Sequence, residues 1–309
     1  MPARAQTFTN RQHMVRRSYE VYRYRDTYLN EVALHHHDFY ELYLFLSGNV
    51  DYVIENRKYH LMPGDLLLIS PNELHQPMFG RERQTYERIV VWIDKTYLQQ
   101  FSGLDVDMTH CFDTTVPGHS NLLRPDNAVR QRLTDLLEQI LGEEESSRFG
   151  SGIMADTCLI QALVLVIRLA ERTRARSEMP DKSESVVSSV LDYINSHYAE
   201  DLSLDFLANQ FFISKYHLSR EFNRLVGTSV HRYIIQKRLV IAKQLMGEGV
   251  PSTSVYQHCG FGDYSNFYRA FKAEYQITPK EYIAQLKADA ARAEEGRQER
   301  GWLLRDPMG

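Results

Sequence analysis

Cysteine is scarce in this 309-residue chain. Cys111, Cys158 and Cys259 are far apart, odd in number and without any C-x-x-C spacing, which argues against a disulfide framework and a cysteine-rich zinc site. No window reaches the roughly eighteen apolar residues of a membrane span; the best run, Ala162 to Ile167, is short, so no membrane partner is expected. Met1 to Asn30 carries basic residues but no apolar core of the kind a secretory signal needs, so a cytoplasmic location is expected. A surplus of positive charge is also missing: the net charge is −4, which argues against indiscriminate binding to nucleic acid.

The length suits two domains with connecting helices, and 43% hydrophobic with 25% charged residues is a globular balance. Charge is uneven along the chain. Between Lys215 and Lys243, seven basic residues (Lys215, Arg220, Arg224, Arg232, Lys237, Arg238, Lys243) stand against one acidic residue, Glu221, giving +6 within 29 positions. A local basic strip therefore sits on an acidic chain.

The pattern predicts an α+β protein. Short β-branched and aromatic runs at Glu41–Ser47, Tyr52–Glu55, Leu66–Ser70 and Ile89–Ile93 are separated by turns such as Ser47-Gly48-Asn49 and Pro63-Gly64-Asp65, as in a small antiparallel barrel or sandwich. Helical periodicity follows over Asp126–Leu141 and Ile153–Arg172. The second of these helices is apolar nearly all round, with Cys158, Leu159, Ala162, Leu163, Val166 and Leu169 on one face and Val164, Leu165 and Ile167 spread beyond it. Such a helix must be covered on several sides, by the barrel, by a dimer partner or by both. The expected layout is a sensing barrel over 1–125, a helical hairpin for dimerisation over 126–173, a linker over 174–185, a helical domain over 186–290 and a charged tail over 291–309.

That last domain contains a repeat. Leu207-Ala208-Asn209-Gln210-Phe211-Phe212-Ile213 matches Val255-Tyr256-Gln257-His258-Cys259-Gly260-Phe261 at an offset of 48. After one extra residue near Gly262-Asp263 the offset is 49, pairing Leu218 with Phe267, Arg220 with Arg269, Phe222 with Phe271 and Tyr233 with Tyr282. Each copy reads as a helix, a sharp turn and a second helix, opened by the capping residues Ser214 and Asp263. Leu218, Phe222 and Leu225 should face the core of the first copy, leaving Lys215, Tyr216, Ser219, Arg220 and Asn223 outward. In the second copy Phe267 and Phe271 are the core pair, and Tyr264, Ser265, Asn266, Tyr268, Arg269 and Lys272 face solvent. One basic helix face is ordinarily just solvated. Two copies of it suit successive major grooves of double-stranded DNA, where Arg reads guanine and Asn reads adenine.

The segment Val186 to Leu286 resembles the AraC/XylS DNA-binding domain. The landmarks are Leu204-x-x-Leu207-Ala208, Ser214-Lys215-x-x-Leu218-x-Arg220-x-Phe222, Val226-Gly227, Tyr233, Arg238 with Ala242, Gly260-Phe261, Phe267-x-x-x-Phe271-Lys272 and Thr278-Pro279-x-x-Tyr282. The resemblance implies that Lys215–Asn223 and Tyr264–Lys272 read DNA, and that the protein is a homodimeric regulator, an activator in type, which contacts RNA polymerase and answers a small-molecule effector. The chain departs from the family pattern at Ser252, at Val255-Tyr256 in place of Ile-Ala, and at Gln276-Ile277 in place of Gly before Thr-Pro. These departures put the stance of the second copy in question, since a Tyr in place of Ala cannot be buried without repacking.

Nearer the N-terminus, His35-x-His37-x-x-x-Glu41 with Gly48, then Pro63-Gly64-Asp65 and Pro71-x-x-x-His75, resembles the two motifs of the cupin barrel. The main expectation is a ligand pocket needing no cofactor, with His37, Glu41, His75 and Glu87 as polar anchors. Carboxylate, imidazole and tyrosine suit a sugar or another hydroxylated molecule, and also a cation. The alternative is a metal held by His35, His37, Glu41 and His75, in a metal sensor or a metal-dependent cupin enzyme fused to a DNA-binding domain. A third reading is an architectural DNA binder that senses nothing.

Overall fold

Strand β2 (Tyr40–Ser47) is buried on both faces, with Leu42 and Leu44 on one side and Tyr43 and Phe45 on the other. That accounts for its nearly continuous apolar text. The computed structural model describes residues 13–288 except 17, 28, 30, 31, 81–84, 104, 105 and 177–184. The remaining strands are β1 (Tyr19–Asp26), β3 (Val50–Ile54), β4 (Arg57–His60), β5 (Leu66–Ile69), β6 (His75–Phe79), β7 (Tyr86–Ile93) and β8 (Leu122–Leu123). They form two antiparallel sheets, one in the order β1-β7-β2-β5-β8 and one in the order β4-β3-β6.

One face of the larger sheet sends Tyr43, Phe45, Leu67, Ile69, Tyr86, Val90 and Trp92 against Val50, Tyr52 and Ile54 of the smaller one. Its other face packs Leu42, Leu44, Leu66, Leu68, Ile89, Val91 and Ile93 against helices α2 (Asn127–Glu144) and α3 (Ser151–Arg176). A short helix α1 (Lys95–Gln99) and a 3₁₀ turn at His110–Phe112 complete this unit. Four strands escaped the sequence reading: β1, β4, β6 and β8. Their composition is the reason, since β4 is largely exposed and β6 contains Pro77, tolerated because β6 is an edge strand.

The sequence expectation about apolar length is corrected at α3, whose residues Ser151–Ala175 are long and apolar enough to cross a membrane by length and composition. Ala155, Cys158, Leu159, Ala162, Leu163, Val166 and Ala170 are buried in the core it shares with α2 and the sheet, and Val164, Leu165 and Ile167 pack against the same core. The hairpin is thus the second layer of this unit.

The chain divides into two compact units, one made of residues 1–188 and 225–227 and the other of 189–224 and 228–309. Of the expected linker, 174–176 continue α3 and 177–184 lie outside the described residues, as does the expected tail over 291–309. The second unit is all-helical: α4 (Val186–His197), α5 (Leu204–Gln210), α6 (Lys215–Val226), α7 (Val230–Gly247), α8 (Val255–His258), α9 (Tyr264–Tyr275) and α10 (279–288). Helix α7 is the shared spine. Its N-terminal part places Tyr233 edge-on against Phe222 of α6, with ring centroids 5.7 Å apart, and its C-terminal part packs Leu239, Ala242 and Met246 with Val255, Cys259, Phe261, Phe267 and Phe271.

The repeat seen in sequence extends to the backbone. The turn before each second helix holds a left-handed residue, Phe212 (φ 55°) in the first copy and Gly260 (φ 76°) in the second. After each second helix comes another, Gly227 (φ 73°) and Gln276 (φ 59°). The departure at Gln276 therefore keeps the conformation a glycine would take, at a steric cost partly offset by its Nε2 donating to Ala273 O at 2.8 Å. Gln276→Gly should raise stability by about 1 kcal/mol, since a left-handed non-glycine residue costs roughly that much. A lowered melting temperature in that variant would show that the side-chain hydrogen bond outweighs the strain.

Candidate functional site

Helices α6 and α9 present the residues predicted to meet DNA. The caps form as expected: Ser214 Oγ accepts from His217 N at 3.2 Å and Asp263 Oδ1 accepts from Asn266 N at 2.7 Å. Leu218, Phe222, Phe267 and Phe271 are fully buried, which fixes the roll of each helix. Leu225 is half-buried. Lys215, Tyr216, Ser219, Arg220 and Asn223 are exposed on α6, and Tyr264, Ser265, Asn266, Arg269 and Lys272 are exposed on α9, with Tyr268 half-buried. Tyr256, the departure from the family pattern, is half-buried and sits edge-on to Tyr264, with ring centroids 6.1 Å apart. It therefore packs at the margin of the core without being enclosed in it.

Several of these groups are already held in the unit. Lys215 pairs with Asp205. Glu221 binds Arg224 at 2.7 Å and Arg220 at 3.4 Å. On α9, Arg269 Nη2 donates to Asn266 Oδ1 at 2.7 Å, and Asn266 Nδ2 donates to Asp263 Oδ2 at 2.6 Å, a chain that orders one potential guanine reader and one adenine reader together. Two members of the basic strip serve the fold instead: Arg232 pairs with Glu274 at 2.7 Å, and Arg238 donates to Tyr198 O and Glu200 O at 2.8 and 2.6 Å. The sequence reading counted Arg224 only in the basic strip and passed over His217; both are exposed polar groups on α6.

The second candidate site is a hollow between the two sheets. Its cavity volume is about 40 Å³, and its walls include Tyr24, Tyr43, Tyr52, Tyr86, Arg88 and Trp92 beside His35, His37 and Glu41. Trp92 Nε1 donates to Glu41 Oε2 at 3.0 Å, and His37 Nε2 lies 3.1 Å from the same oxygen. Tyr43 and Tyr86 share a hydroxyl hydrogen bond. Burial, and then the neighbouring Tyr86, pushes Tyr43 well above the usual phenol range; burial likewise raises Tyr86 to about 12. Both stay neutral; one hydroxyl hydrogen is used in the bond between them and the other remains a donor. His35 is lowered to about 4 by burial.

Three of the four predicted anchors come together: His37, Glu41 and His75 are buried, with donor atoms within 4.8 Å of one another. Glu87 does not join them and is corrected here. Along β7 the side chains facing the smaller sheet are Tyr86, Val90 and Trp92, and Arg88 shares their parity, so Glu87 points away and binds Arg23 at 2.8 Å. His35 lines the hollow and stands against His75, ring centroids 4.3 Å apart, without entering the three-residue group.

Two family models match the chain. The AraC-like ligand binding domain covers residues 18–163 and a helix-turn-helix domain covers residues 207–285. The chain belongs to the AraC family. Among relatives of this AraC-family protein is the HTH-type transcriptional activator RhaS of Escherichia coli O157:H7 (strain EC4115 / EHEC), 24% identical over 80% of this chain and 86% of the relative. Solved structures that align with it include ToxT from Vibrio cholerae O395 (14% identity, 88% of this chain, 99% of ToxT, TM-score 0.36). Another is the DNA-binding domain of AdpA in complex with a target DNA (21% identity, 34% of this chain, 96% of that domain, TM-score 0.32). The first matched segment contains the hollow and the second contains α6 and α9, so this AraC-family chain carries a ligand-binding domain and a DNA-binding domain on separate units.

Proposed function

We propose that the protein is a sequence-specific transcription activator acting inside the cell, in which α6 and α9 read double-stranded DNA and a hydroxylated small molecule such as a sugar is sensed in the hollow. The observation that carries this reading is the repeated, capped helix with a buried aromatic or leucine stripe and a polar, hydrogen-bonding face, present once in each helix-turn-helix copy. A homodimer and a contact with RNA polymerase complete the proposal. The effector works by binding two arrangements of the protein with different affinity.

Selection of preferred sequences from a random DNA pool at about 0.15 M salt, where sequence-independent electrostatic binding is weak, tests this directly. One site with two short blocks a helical turn apart is the expected result. On that site Arg220→Ala or Arg269→Ala should cost about 1–3 kcal/mol and relax base preference at one block, whereas Lys272→Ala should weaken binding evenly and flatten the salt dependence. Equal losses on specific and random DNA for both arginine variants would remove base reading from α6 and α9. Enrichment of one block only would confine recognition to a single copy.

A further inference from the structure

Phe212 stands in the turn between α5 and α6 with a left-handed backbone, φ 55°, a conformation that costs any residue carrying a Cβ and costs glycine nothing. The equivalent residue of the second copy is Gly260. The turn itself is firmly made. Phe212 N donates to Asn209 O at 3.2 Å and Ile213 N donates to Ala208 O at 3.0 Å, so the ring hangs from a fixed backbone. It returns nothing to the fold, because Phe212 is 95% exposed. An aromatic residue that is both strained and wet gains stability neither from its conformation nor from burial, and such an outlier points to function.

Its position says what it meets. Phe212 and Tyr216 are, among the described residues of this unit, the two most exposed large apolar side chains. They flank the cap Ser214, at the end where α6 begins. In a helix-turn-helix the N-terminal residues of the second helix touch base edges, so this end of α6 is the one that enters the major groove. The exposed Lys215, Tyr216 and Ser219 follow within its first turn and a half. Almost everything a major groove offers is a hydrogen-bonding group, for which a phenylalanine has no use. The exception is the C5 methyl of thymine, which apolar side chains, phenylalanine among them, recognise by contact.

We propose that Phe212 is a specificity-determining residue that packs its ring against the methyl group of a thymine at the edge of the block read by α6. The second copy, with Gly260 at this place, lacks the contact, so the two blocks are read by different means. The inference rests on α6 being a DNA reader.

The test uses the full chain and the DNA site recovered by selection. Each thymine is replaced singly by deoxyuridine, which removes the methyl and keeps every hydrogen-bonding group. At one position, in the block whose preference Arg220→Ala relaxes, the parent should bind about fourfold more weakly, the worth of one methyl withdrawn from water. Phe212→Gly and Phe212→Asn should bind the unaltered site about fourfold more weakly than the parent, and should no longer distinguish thymine from deoxyuridine there. Glycine and asparagine both accept a left-handed turn, so neither variant should lower the melting temperature, a combination that a merely structural role would not give. A parent indifferent to deoxyuridine throughout that block overturns the proposal, as does a deoxyuridine penalty that survives in both Phe212 variants. If Arg220→Ala still loses specific binding in that case, α6 remains a reader without help from Phe212; if no DNA is enriched at all, both readings fall. Parent-like DNA binding by the Phe212 variants, with transcription lost from a template carrying the site, would give the ring to a protein partner and overturn the contact with thymine.

Discussion

Gly260→Ala should cost the second unit about 4 kcal/mol and abolish specific DNA binding. Two effects add. Gly260 sits at φ 76°, where a Cβ costs about 1–2 kcal/mol. A Cβ built there would also stand 2.7–2.8 Å from the backbone oxygen, carbonyl carbon and Cα of Ala199, none of which can rotate away as a side chain would. Relief requires moving either the turn between α8 and α9 or the segment after α4, and overpacking of this kind costs about 1–3 kcal/mol. Because Phe261 and Phe267 lie in the core immediately beyond the turn, the shift would pass into α9. Gly262→Ala is the control, since a Cβ there meets nothing within 4 Å. Denaturation monitored by circular dichroism should show a lost or early transition for Gly260→Ala alone; parent-like melting would mean that the turn gives way without strain.

The first copy of the repeat makes the same left-handed turn with Phe212, whose side chain is 95% exposed. The glycine requirement at Gly260 thus comes from the close approach of Ala199 as much as from the dihedral angle. That approach joins residues 61 positions apart, and nothing local in the text announces it. What was local could be read: the caps at Ser214 and Asp263 and the core stripe through Phe222, Phe267 and Phe271 all follow from spacing within one helix. The sheet unit was harder. Strand β4 is recognisable only once its partner is known, since Arg57–His60 has little apolar text of its own, whereas Tyr19–Asp26 alternates polar and aromatic residues, a local strand signal that the sequence reading passed over.

The error at Glu87 has the same root. A strand begun at Ile89 does not fix which of the residues before it face inward, and a shift of one position exchanges the two faces. Pairing with β1 across the whole of Tyr86–Ile93 puts Tyr86, Arg88, Val90 and Trp92 on one face and Glu87 on the other. The aromatic walls of the hollow became visible only with that register. His37, Glu41 and His75 were legible because the motif spacing alone carried them, but the orientation of the two imidazole rings depends on the carbonyls of Phe39 and Glu73.

Register also explains the other large effect expected. Asp26, at the end of β1, binds Arg88 Nη1 in the interior, with the two residues 6% and 3% exposed. The guanidinium stands over the rings of Tyr86 and Tyr24, at 4.1 and 4.8 Å. Asp26→Ala removes the carboxylate that faces a buried guanidinium, which should destabilise the first unit by about 3–5 kcal/mol. Replacing both partners, Asp26→Leu with Arg88→Met, removes the guanidinium as well and should recover most of that loss, because a buried ion pair and a well-packed apolar pair are often nearly equivalent in stability. Urea denaturation followed by the fluorescence of Trp92, which lines the same hollow, measures both. The double variant should nevertheless bind the effector poorly, since Tyr24 and Tyr86 lose the cation that sets their spacing. A single-variant loss below about 1 kcal/mol would show that water reaches the guanidinium; Arg88 would then be a charge open to an anionic effector.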